Sequence, residues 1–177
     1  MSRDLFLAIL SMDSYNRGYG EGVAGLDTPD FNPDGTPKTI IRIGNATIIR
    51  DANDEAGIAE AAGFYAIAYD VSGVRDADGN PLFDTGTVIA YRGSDYQDTD
   101  GAILRSNDLW QGWTVGAGFP GGGQAGLALE FYTAVTGQSP YNTPGTVTIT
   151  GHSLGGALAG LAANDNVAMG RGERGVA

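Results

Sequence analysis

Ser153 is the residue of this sequence whose neighbours most clearly indicate chemistry. It lies in Gly151-His152-Ser153-Leu154-Gly155, a G-x-S-x-G pattern in which glycines two positions on either side of the serine permit a turn too sharp for side chains. Such a turn holds the hydroxyl where a substrate can reach it. The backbone N–H of Leu154 would then lie at a helix start, where unpaired donors meet developing negative charge. The pattern predicts a serine nucleophile with an adjacent oxyanion donor.

A strand and a helix flank this pattern, which is the context that it requires. Threonines alternate with Val147 and Ile149 before the glycine, as in a short β-strand, and the residues from Leu154 onward are small or good helix formers. The alternative is an inert serine in a glycine-rich turn, since the chain has 29 glycines and the bare pattern can arise by chance. The flanking elements favour the nucleophile.

The elements that would position this site are predicted along the rest of the chain. At the N-terminus, Leu5, Phe6, Ile9 and Leu10 form an apolar stripe at helical spacing, which predicts a helix on the core with Ser2 as its N-cap. The other predictions, in chain order, are a loop at 18–38, a hairpin of strands 40–43 and 46–49 turning at Gly44-Asn45, an acidic helix at 54–62, a strand at 64–71 that could also be helical, a strand at 87–91 and a helix at 125–135.

A long connection follows Tyr91-Arg92-Gly93-Ser94-Asp95 and runs to about Gln124. Loops this long and this apolar often form lids or binding walls. The alternative is that the two tryptophans simply pack the core. The large apolar residues that could form a lid or an acyl-binding wall include Ile103, Leu104, Leu109, Trp110 and Trp113.

A calcium site is a second chemical possibility, at Asp76-Ala77-Asp78-Gly79-Asn80. The spacing resembles the start of an EF-hand loop, but the sixth position is Pro81 rather than glycine and the twelfth is Thr87 rather than glutamate. A hairpin turn built on Asp-Gly explains the same residues. We therefore predict a turn and no metal site.

Composition limits the class of protein. The 177 residues suit one domain, residues 1–177, and a net charge of −11 argues against binding to nucleic acid or to an anionic membrane surface. No apolar run is long enough for a transmembrane segment, and the N-terminus lacks the features of a secretory signal peptide. The chain has no cysteine, so disulfides are excluded, but the compartment stays open. We expect a soluble protein, with secretion by a route that needs no signal peptide as an option.

Val88 to Ser94, followed by Val147 to Ala159, resembles the class 3 lipases, the fungal-type triacylglycerol lipase and feruloyl esterase family of α/β-hydrolases. The resemblance implies a mixed, mostly parallel sheet with flanking helices, and a Ser153 acyl-enzyme formed without a cofactor. It implies that the oxyanion is held by the backbone N–H groups of Ser94 and Leu154. It also implies a lid in part of Asp95 to Trp113, over a site that takes an acyl ester, above all a lipid ester.

The catalytic acid and base are not assignable in this chain. Its one histidine, His152, is a neighbour of the nucleophile whose ring should point away from the serine hydroxyl, so we expect it to be structural. Asp165 would lie roughly 18 Å along a helix from the serine, at about 1.5 Å per residue. We therefore expect an N-terminal portion of a longer hydrolase domain, truncated after the helix that follows the turn at 151–155, which we call the elbow, and inactive alone. The acid and histidine would come from a C-terminal part, either missing here or present as a second chain.

The function expected from these observations is serine carboxylic-ester hydrolysis of the lipase type. Two alternatives stay open at this stage. One is a module that keeps the fold, lacks the catalytic triad, and binds lipid or a partner. The other is a phospholipase or a feruloyl-type esterase, because the residues indicate carbonyl chemistry but do not specify the acyl pocket.

Overall fold

A computed structural model gives the fold and describes residues 1–17, 42–52, 63–93, 123–139 and 147–164. The helices and strands in these ranges follow one another in the order α1 (Arg3–Asp13), a 3₁₀ turn (Ser14–Asn16), β1 (Arg42–Ile43), β2 (Ala46–Asp51), β3 (Ala66–Asp70), β4 (Thr87–Tyr91), α2 (Gly123–Thr136), β5 (Thr148–Gly151) and α3 (Leu154–Asn164). None of the helices in these ranges is long and apolar enough to cross a bilayer.

Several predictions fall outside the described residues. They are the loop at 18–38, the helix at 54–62, the oxyanion residue Ser94, the lid or acyl-binding residues Ile103, Leu104, Leu109, Trp110 and Trp113, and the position of Asp165.

Helix α1 begins where the sequence predicts, because the Ser2 hydroxyl accepts a hydrogen bond from the backbone N–H of Leu5 at 3.3 Å. Its buried face is narrower than the predicted stripe. Phe6 and Leu10 are buried, but Leu5 is 55% exposed and Ile9 is 38% exposed. The prediction that all four residues pack on the core is therefore wrong for Leu5 and Ile9. The sheet meets only the side of the helix that carries Phe6 and Leu10.

The five strands form one sheet in the order β1-β2-β3-β4-β5. The first three pairings are antiparallel, and β4 pairs with β5 in parallel, with Tyr91 opposite Gly151. The sheet is mixed, as predicted, but antiparallel pairings outnumber parallel ones in the described ranges, which differs from the mostly parallel sheet that we expected. The reason is the connectivity: β1 to β4 pair in sequence order, and only the chain from β4 to β5 makes a crossover, which contains α2.

The predicted hairpin is confirmed at its turn and from residue 42 onward, while residues 40 and 41 lie outside the described residues. Ile43 pairs with Ala46, so Gly44 and Asn45 form a two-residue turn. Gly44 has φ +57° and Asn45 does not have a positive φ, which is the pattern of a type II′ turn with glycine at its first central position. The ambiguous stretch at 64–71 is also settled as a strand, β3.

A tight turn occupies the possible calcium loop between β3 and β4. The Asp76 carboxylate accepts hydrogen bonds from the backbone N–H groups of Asp78 and Asn80, both at 2.9 Å, and Gly79 has φ +87°. Arg75 and Pro81 on either side are bridged in antiparallel fashion. These bonds to its own backbone account for the acidic residues as a turn. Within the described ranges no group of three or more His, Cys, Asp or Glu could hold a metal ion.

Helices cover both faces of the sheet. The Tyr91 hydroxyl donates to the backbone carbonyl of Ala128 in α2 at 2.9 Å, whereas the next residue, Arg92, reaches the carbonyl of Ser14 after α1. Because consecutive residues of an extended chain point to opposite faces, α1 and α2 lie on opposite sides of the sheet. The central strands β3 and β4 are consequently buried on both faces. Helix α3 packs against β4, β5 and α2.

Candidate active site

The candidate nucleophile lies in the turn between β5 and α3. Strand β5 ends at Gly151, α3 begins at Leu154, and Ser153 is exposed between them. Ser153 has φ +56°, and among the described residues it alone has a positive φ without being glycine. A left-handed conformation raises the energy of a residue with a side chain by about 1–2 kcal/mol. Strain of this kind is concentrated at functional sites, where the surrounding structure enforces it.

The two glycines of the pattern are required by close approach. A Cβ atom at Gly151 would lie 2.8 Å from the nitrogen of Gly156, and it would come nearer still to the backbone of Gly155. A Cβ atom at Gly155 would lie 2.7 Å from the carbonyl carbon of Tyr91 and 2.8 Å from that of Arg92. The first turn of α3 therefore lies on the backbone at the end of β4. No residue larger than glycine fits either position without a shift of the main chain.

One backbone amide at the start of α3, that of Leu154, is available to an anion. The N–H groups of Gly155 and Gly156 donate to the carbonyls of His152 and Ser153, both at 2.9 Å. No hydrogen-bond acceptor for the Leu154 N–H is found in the described part of the chain, as expected for the first residue of a helix. This N–H belongs to the residue after Ser153. The arrangement could stabilise negative charge on an oxygen bound near the serine.

The end of β4 lies beside the elbow. A Cβ atom at Gly93 would be 2.9 Å from the Cβ of Ser153 and 2.6 Å from the carbonyl oxygen of His152. The parallel pairing of β4 and β5 produces this proximity, because the carboxyl ends of parallel neighbours meet at one edge of the sheet. The two sequence motifs, Val88 to Ser94 and Val147 to Ala159, are thus brought together at Gly93. Ser94 itself follows directly in the sequence and is not described.

Tyr15 is a residue of this region that sequence reasoning missed. Its hydroxyl accepts a hydrogen bond from the Gly93 N–H at 3.0 Å and lies 3.1 Å from Nδ1 of His152. The Tyr15 and His152 rings pack edge to face, with centroids 5.8 Å apart. A tyrosine just after an apolar helical stripe gives no local signal of this role. The contact depends on residues that are far apart in sequence.

Arg92 is a second residue that the sequence did not reveal. It is only 1% exposed, and its guanidinium carbon lies 4.6 Å from the centroid of the Tyr65 ring. Its Nη1 donates to the carbonyls of Arg17 at 3.2 Å and of Ser14 at 3.5 Å. A buried guanidinium is tolerated only where such groups satisfy it. Arg92 therefore attaches the end of β4 to the turn that carries Tyr15.

The Asp13 carboxylate, at the end of α1, makes further polar contacts with the N-terminal turn and the sheet. Asp13 accepts a hydrogen bond from the Tyr69 hydroxyl at 2.8 Å and forms an ion pair with Arg17, one helical turn later. Burial, and then the neighbouring Asp13 carboxylate, raise the pKa of Tyr69 well above its usual value near 10. The hydroxyl consequently stays protonated and donates to Asp13. The sheet and the N-terminal turn are thus connected by hydrogen bonds under the site.

His152 does not contact the candidate nucleophile through a hydrogen bond in the described part of the chain. Its side chain is exposed, and Nδ1 is directed to Tyr15 rather than to the Ser153 hydroxyl. This agrees with the expectation that adjacent side chains in a sharp turn point apart. In this geometry Nδ1 is not positioned to take a proton from the Ser153 hydroxyl.

One comparison with known proteins matches part of the chain to a family model. Residues 129–175 match the family model described as Lipase (class 3), and this segment contains the C-terminal half of α2, all of β5 and α3, and Ser153. The match does not extend to the Val88 to Ser94 stretch at the end of β4. No curated protein and no solved structure matches the chain. The family match confirms the resemblance seen in the sequence: residues 129–175 are consistent with a class 3 lipase segment, which supports a lipase-type hydrolase in general.

Proposed function

We propose that this chain carries the nucleophile of a serine carboxylic-ester hydrolase, and that Ser153 forms the acyl-enzyme. The observation that carries the proposal is the exposed serine at φ +56° between β5 and α3, within a segment that matches the class 3 lipases. A strained, exposed serine at a strand-to-helix turn is the arrangement that presents a hydroxyl to an acyl group.

In the proposed reaction, the Ser153 hydroxyl oxygen attacks the carbonyl carbon of an acyl ester while a base takes its proton. The Leu154 N–H stabilises the negative oxygen of the tetrahedral intermediate, and the Ser94 N–H is the proposed second donor. The intermediate collapses and the alcohol leaves with the proton from the base. Water then releases the acid from Ser153 by the same steps. Neither a metal nor an organic cofactor takes part in this chemistry.

The proposed base is a histidine outside this sequence. The chain has one histidine, His152, whose Nδ1 faces the Tyr15 hydroxyl and which makes no hydrogen bond to Ser153 within the described residues. A serine hydroxyl is a weak nucleophile until a neighbouring base accepts its proton. We therefore propose that a histidine and its orienting carboxylate are contributed by a further C-terminal segment or by a second chain. These residues alone would then hydrolyse esters poorly or not at all.

The proposed substrate is a lipid ester, in keeping with the lipase family match. The proposed lid or acyl-binding wall, which would exclude water from the ester carbonyl, consists of Ile103, Leu104, Leu109, Trp110 and Trp113. Hydrolysis rates for p-nitrophenyl esters of increasing chain length distinguish a lipase from an esterase for short acyl groups. A feruloyl ester and a phospholipid, assayed alongside, test the two other substrate classes.

The decisive experiment compares Ser153→Ala with Ser72→Ala in the complete protein. Ser72 is an exposed serine in the β3–β4 connection, so its replacement controls for the loss of a hydroxyl elsewhere. We expect a fluorophosphonate probe to label the wild type and Ser72→Ala, but not Ser153→Ala, and ester hydrolysis to follow the same pattern. Hydrolysis that survives in Ser153→Ala would exclude this nucleophile.

A lipid-binding or partner-binding module without catalysis is the second candidate. It is favoured by the engagement of His152 with Tyr15, which leaves no base beside Ser153 in the described residues. This candidate predicts that the complete protein binds lipid vesicles or a partner but is never labelled by the probe.

A further inference from the structure

The Tyr15 hydroxyl lies between the two backbone segments that form the candidate site. On one side it accepts the hydrogen bond from the Gly93 N–H at 3.0 Å, at the end of β4. On the other side it lies 3.1 Å from Nδ1 of His152, the residue that precedes Ser153. One oxygen atom thus connects the N-terminal turn, the end of β4 and the nucleophile elbow.

We propose that Tyr15 is a positioning residue: its hydroxyl holds the Gly93 amide in a fixed orientation beside the elbow, and so directs the backbone that leads into Ser94. The inference rests on the proposed ester hydrolysis, because it assigns to Tyr15 the ordering of one wall of that site. Tyr15 itself does not touch the substrate in this proposal.

Glycine at position 93 makes such an anchor necessary. A Cβ atom there would lie 2.6 Å from the Tyr15 hydroxyl oxygen, 2.6 Å from the His152 carbonyl oxygen and 2.9 Å from the Ser153 Cβ, so only glycine fits between these groups. Glycine, however, has the widest backbone freedom of any residue. A donor that must meet developing charge is effective only when its direction is set in advance. A hydrogen bond to the Gly93 N–H removes part of that freedom at the residue before Ser94.

Tyr15 is itself held firmly enough to act as an anchor. It lies in the 3₁₀ turn Ser14–Asn16, and the guanidinium of buried Arg92 donates to the carbonyls of Ser14 and Arg17 on either side of it. The Ser14 hydroxyl also donates to the carbonyl of Ser11 at 2.7 Å. Two adjacent residues at the end of β4 therefore bind this turn. The Arg92 side chain donates to carbonyls of the turn, and the Gly93 N–H donates to the Tyr15 hydroxyl. Because this turn directly follows α1, the two contacts fix the end of β4 relative to α1.

Tyr15 also holds the elbow in place, through its contact with His152. The two ring planes meet at 73° with centroids 5.8 Å apart, so the phenol packs against the imidazole as well as facing its Nδ1. Whether the hydroxyl or the imidazole donates depends on the tautomer of the histidine. In either case the ring of His152 is oriented toward Tyr15. The turn that carries Ser153 is thereby tied to the same oxygen as Gly93.

Tyr15→Phe tests the proposal, with Tyr91→Phe as its matched control. Each change removes one phenolic hydroxyl. The Tyr15 hydroxyl contacts Gly93 and His152, whereas the Tyr91 hydroxyl donates to Ala128 in α2, on the opposite face of the sheet. In the complete protein, we expect Tyr15→Phe to slow fluorophosphonate labelling of Ser153 by about 10- to 100-fold, less than the effect of removing an oxyanion donor outright. We expect kcat for ester hydrolysis to fall by more than KM rises. Tyr91→Phe should label at nearly the wild-type rate.

Two readouts by nuclear magnetic resonance are independent of activity. In the complete protein the Nδ1 signal of His152, assigned by its loss in His152→Asn, reports on the contact, and it should move in Tyr15→Phe and stay in place in Tyr91→Phe. Amide exchange at Gly93 should become at least about tenfold faster in Tyr15→Phe, as expected when a protecting hydrogen bond is lost. The same exchange in Tyr91→Phe should remain near the wild-type rate.

The outcomes separate this inference from the proposed function. Labelling of Tyr15→Phe at the wild-type rate, or unchanged exchange at Gly93, would overturn the positioning role even if Ser153 is the nucleophile. A wild-type protein that the probe never labels would overturn the ester hydrolysis, and with it the catalytic purpose of Tyr15. In that case the Gly93 exchange would still decide whether the hydroxyl holds this amide.

Discussion

Replacing Ser153 with glycine should make the protein more stable than replacing it with alanine. Both variants remove the hydroxyl, but alanine keeps the Cβ atom that disfavours φ +56°, whereas glycine adopts this conformation freely. Relief of left-handed strain contributes about 1–2 kcal/mol. The larger entropy of glycine in the unfolded chain offsets about 0.5–1 kcal/mol of this. We therefore expect Ser153→Gly to exceed Ser153→Ala by about 0.5–1 kcal/mol in free energy of unfolding.

Gly137 provides an internal calibration for this estimate. It follows α2 with φ +69°, and a Cβ atom there would meet nothing within 4 Å, so Gly137→Ala introduces left-handed strain without a steric clash. The change should destabilise the protein by about 0.5–1 kcal/mol. This equals in size, and opposes in sign, the gain expected for Ser153→Gly over Ser153→Ala. The pair of experiments measures backbone strain at an ordinary helix end and at the candidate nucleophile.

Urea unfolding followed by circular dichroism measures both differences. With an m-value of about 2 kcal/mol/M, the midpoint of Ser153→Gly should lie roughly 0.3–0.5 M above that of Ser153→Ala. The midpoint of Gly137→Ala should fall below that of the wild type by a similar amount. If Gly137→Ala is destabilised as expected and the two Ser153 variants unfold at the same urea concentration, the strain argument at Ser153 is refuted.

Other changes test other parts of the structure. Gly155→Ala should lower the free energy of unfolding by more than about 3 kcal/mol, because its Cβ would overlap the backbone of Tyr91. Gly126→Ala, at an open position of α2, should instead raise it by about 0.5–1 kcal/mol. Thermal unfolding of the two variants measures this contrast. Ser2→Ala should destabilise α1 by roughly 0.5–1 kcal/mol through loss of the N-cap, and an unchanged melting temperature would contradict that role. Burial raises the pKa of Tyr69 and Tyr91 above the value of about 10 that tyrosine has in the unfolded chain. The free energy of unfolding should therefore be unaffected by these groups below a pH of about 10 and should fall as the pH rises above it. Absorbance at alkaline pH should show both tyrosines ionising only as the protein unfolds.

Much of the local structure could be predicted because its causes lie within a few residues. The Ser2 hydroxyl caps the helix three residues away, and Gly44 supplies the positive φ that a two-residue hairpin turn requires. The turn between β5 and α3 likewise follows from strand-forming residues, glycines and helix-forming residues in immediate succession. Each of these is a short-range backbone preference that the sequence displays directly.

The burial of individual side chains could not be predicted in the same way. The apolar spacing places Leu5 and Ile9 beside Phe6 and Leu10, yet Leu5 and Ile9 are exposed whereas the other two are buried. Arg92, a residue type that is almost never fully buried unless paired, lies inside, because a tyrosine ring and two carbonyls from distant parts of the chain receive it. Periodicity indicates which residues share a helix face, but not how much of that face the sheet covers.

The sequence alone determined the strand, turn and helix around Ser153 and the chemistry that such a serine could perform, because those depend on residues next to one another. The family resemblance already implied that residue 94 lies near Leu154, but only the tertiary structure decided that Gly93 lies against His152 and Ser153 and that the Tyr15 hydroxyl joins Gly93 to His152. Those contacts span large separations in the chain, and their geometry depends on the order of strands in the sheet. Local patterns carry no information about that order until the whole chain has packed.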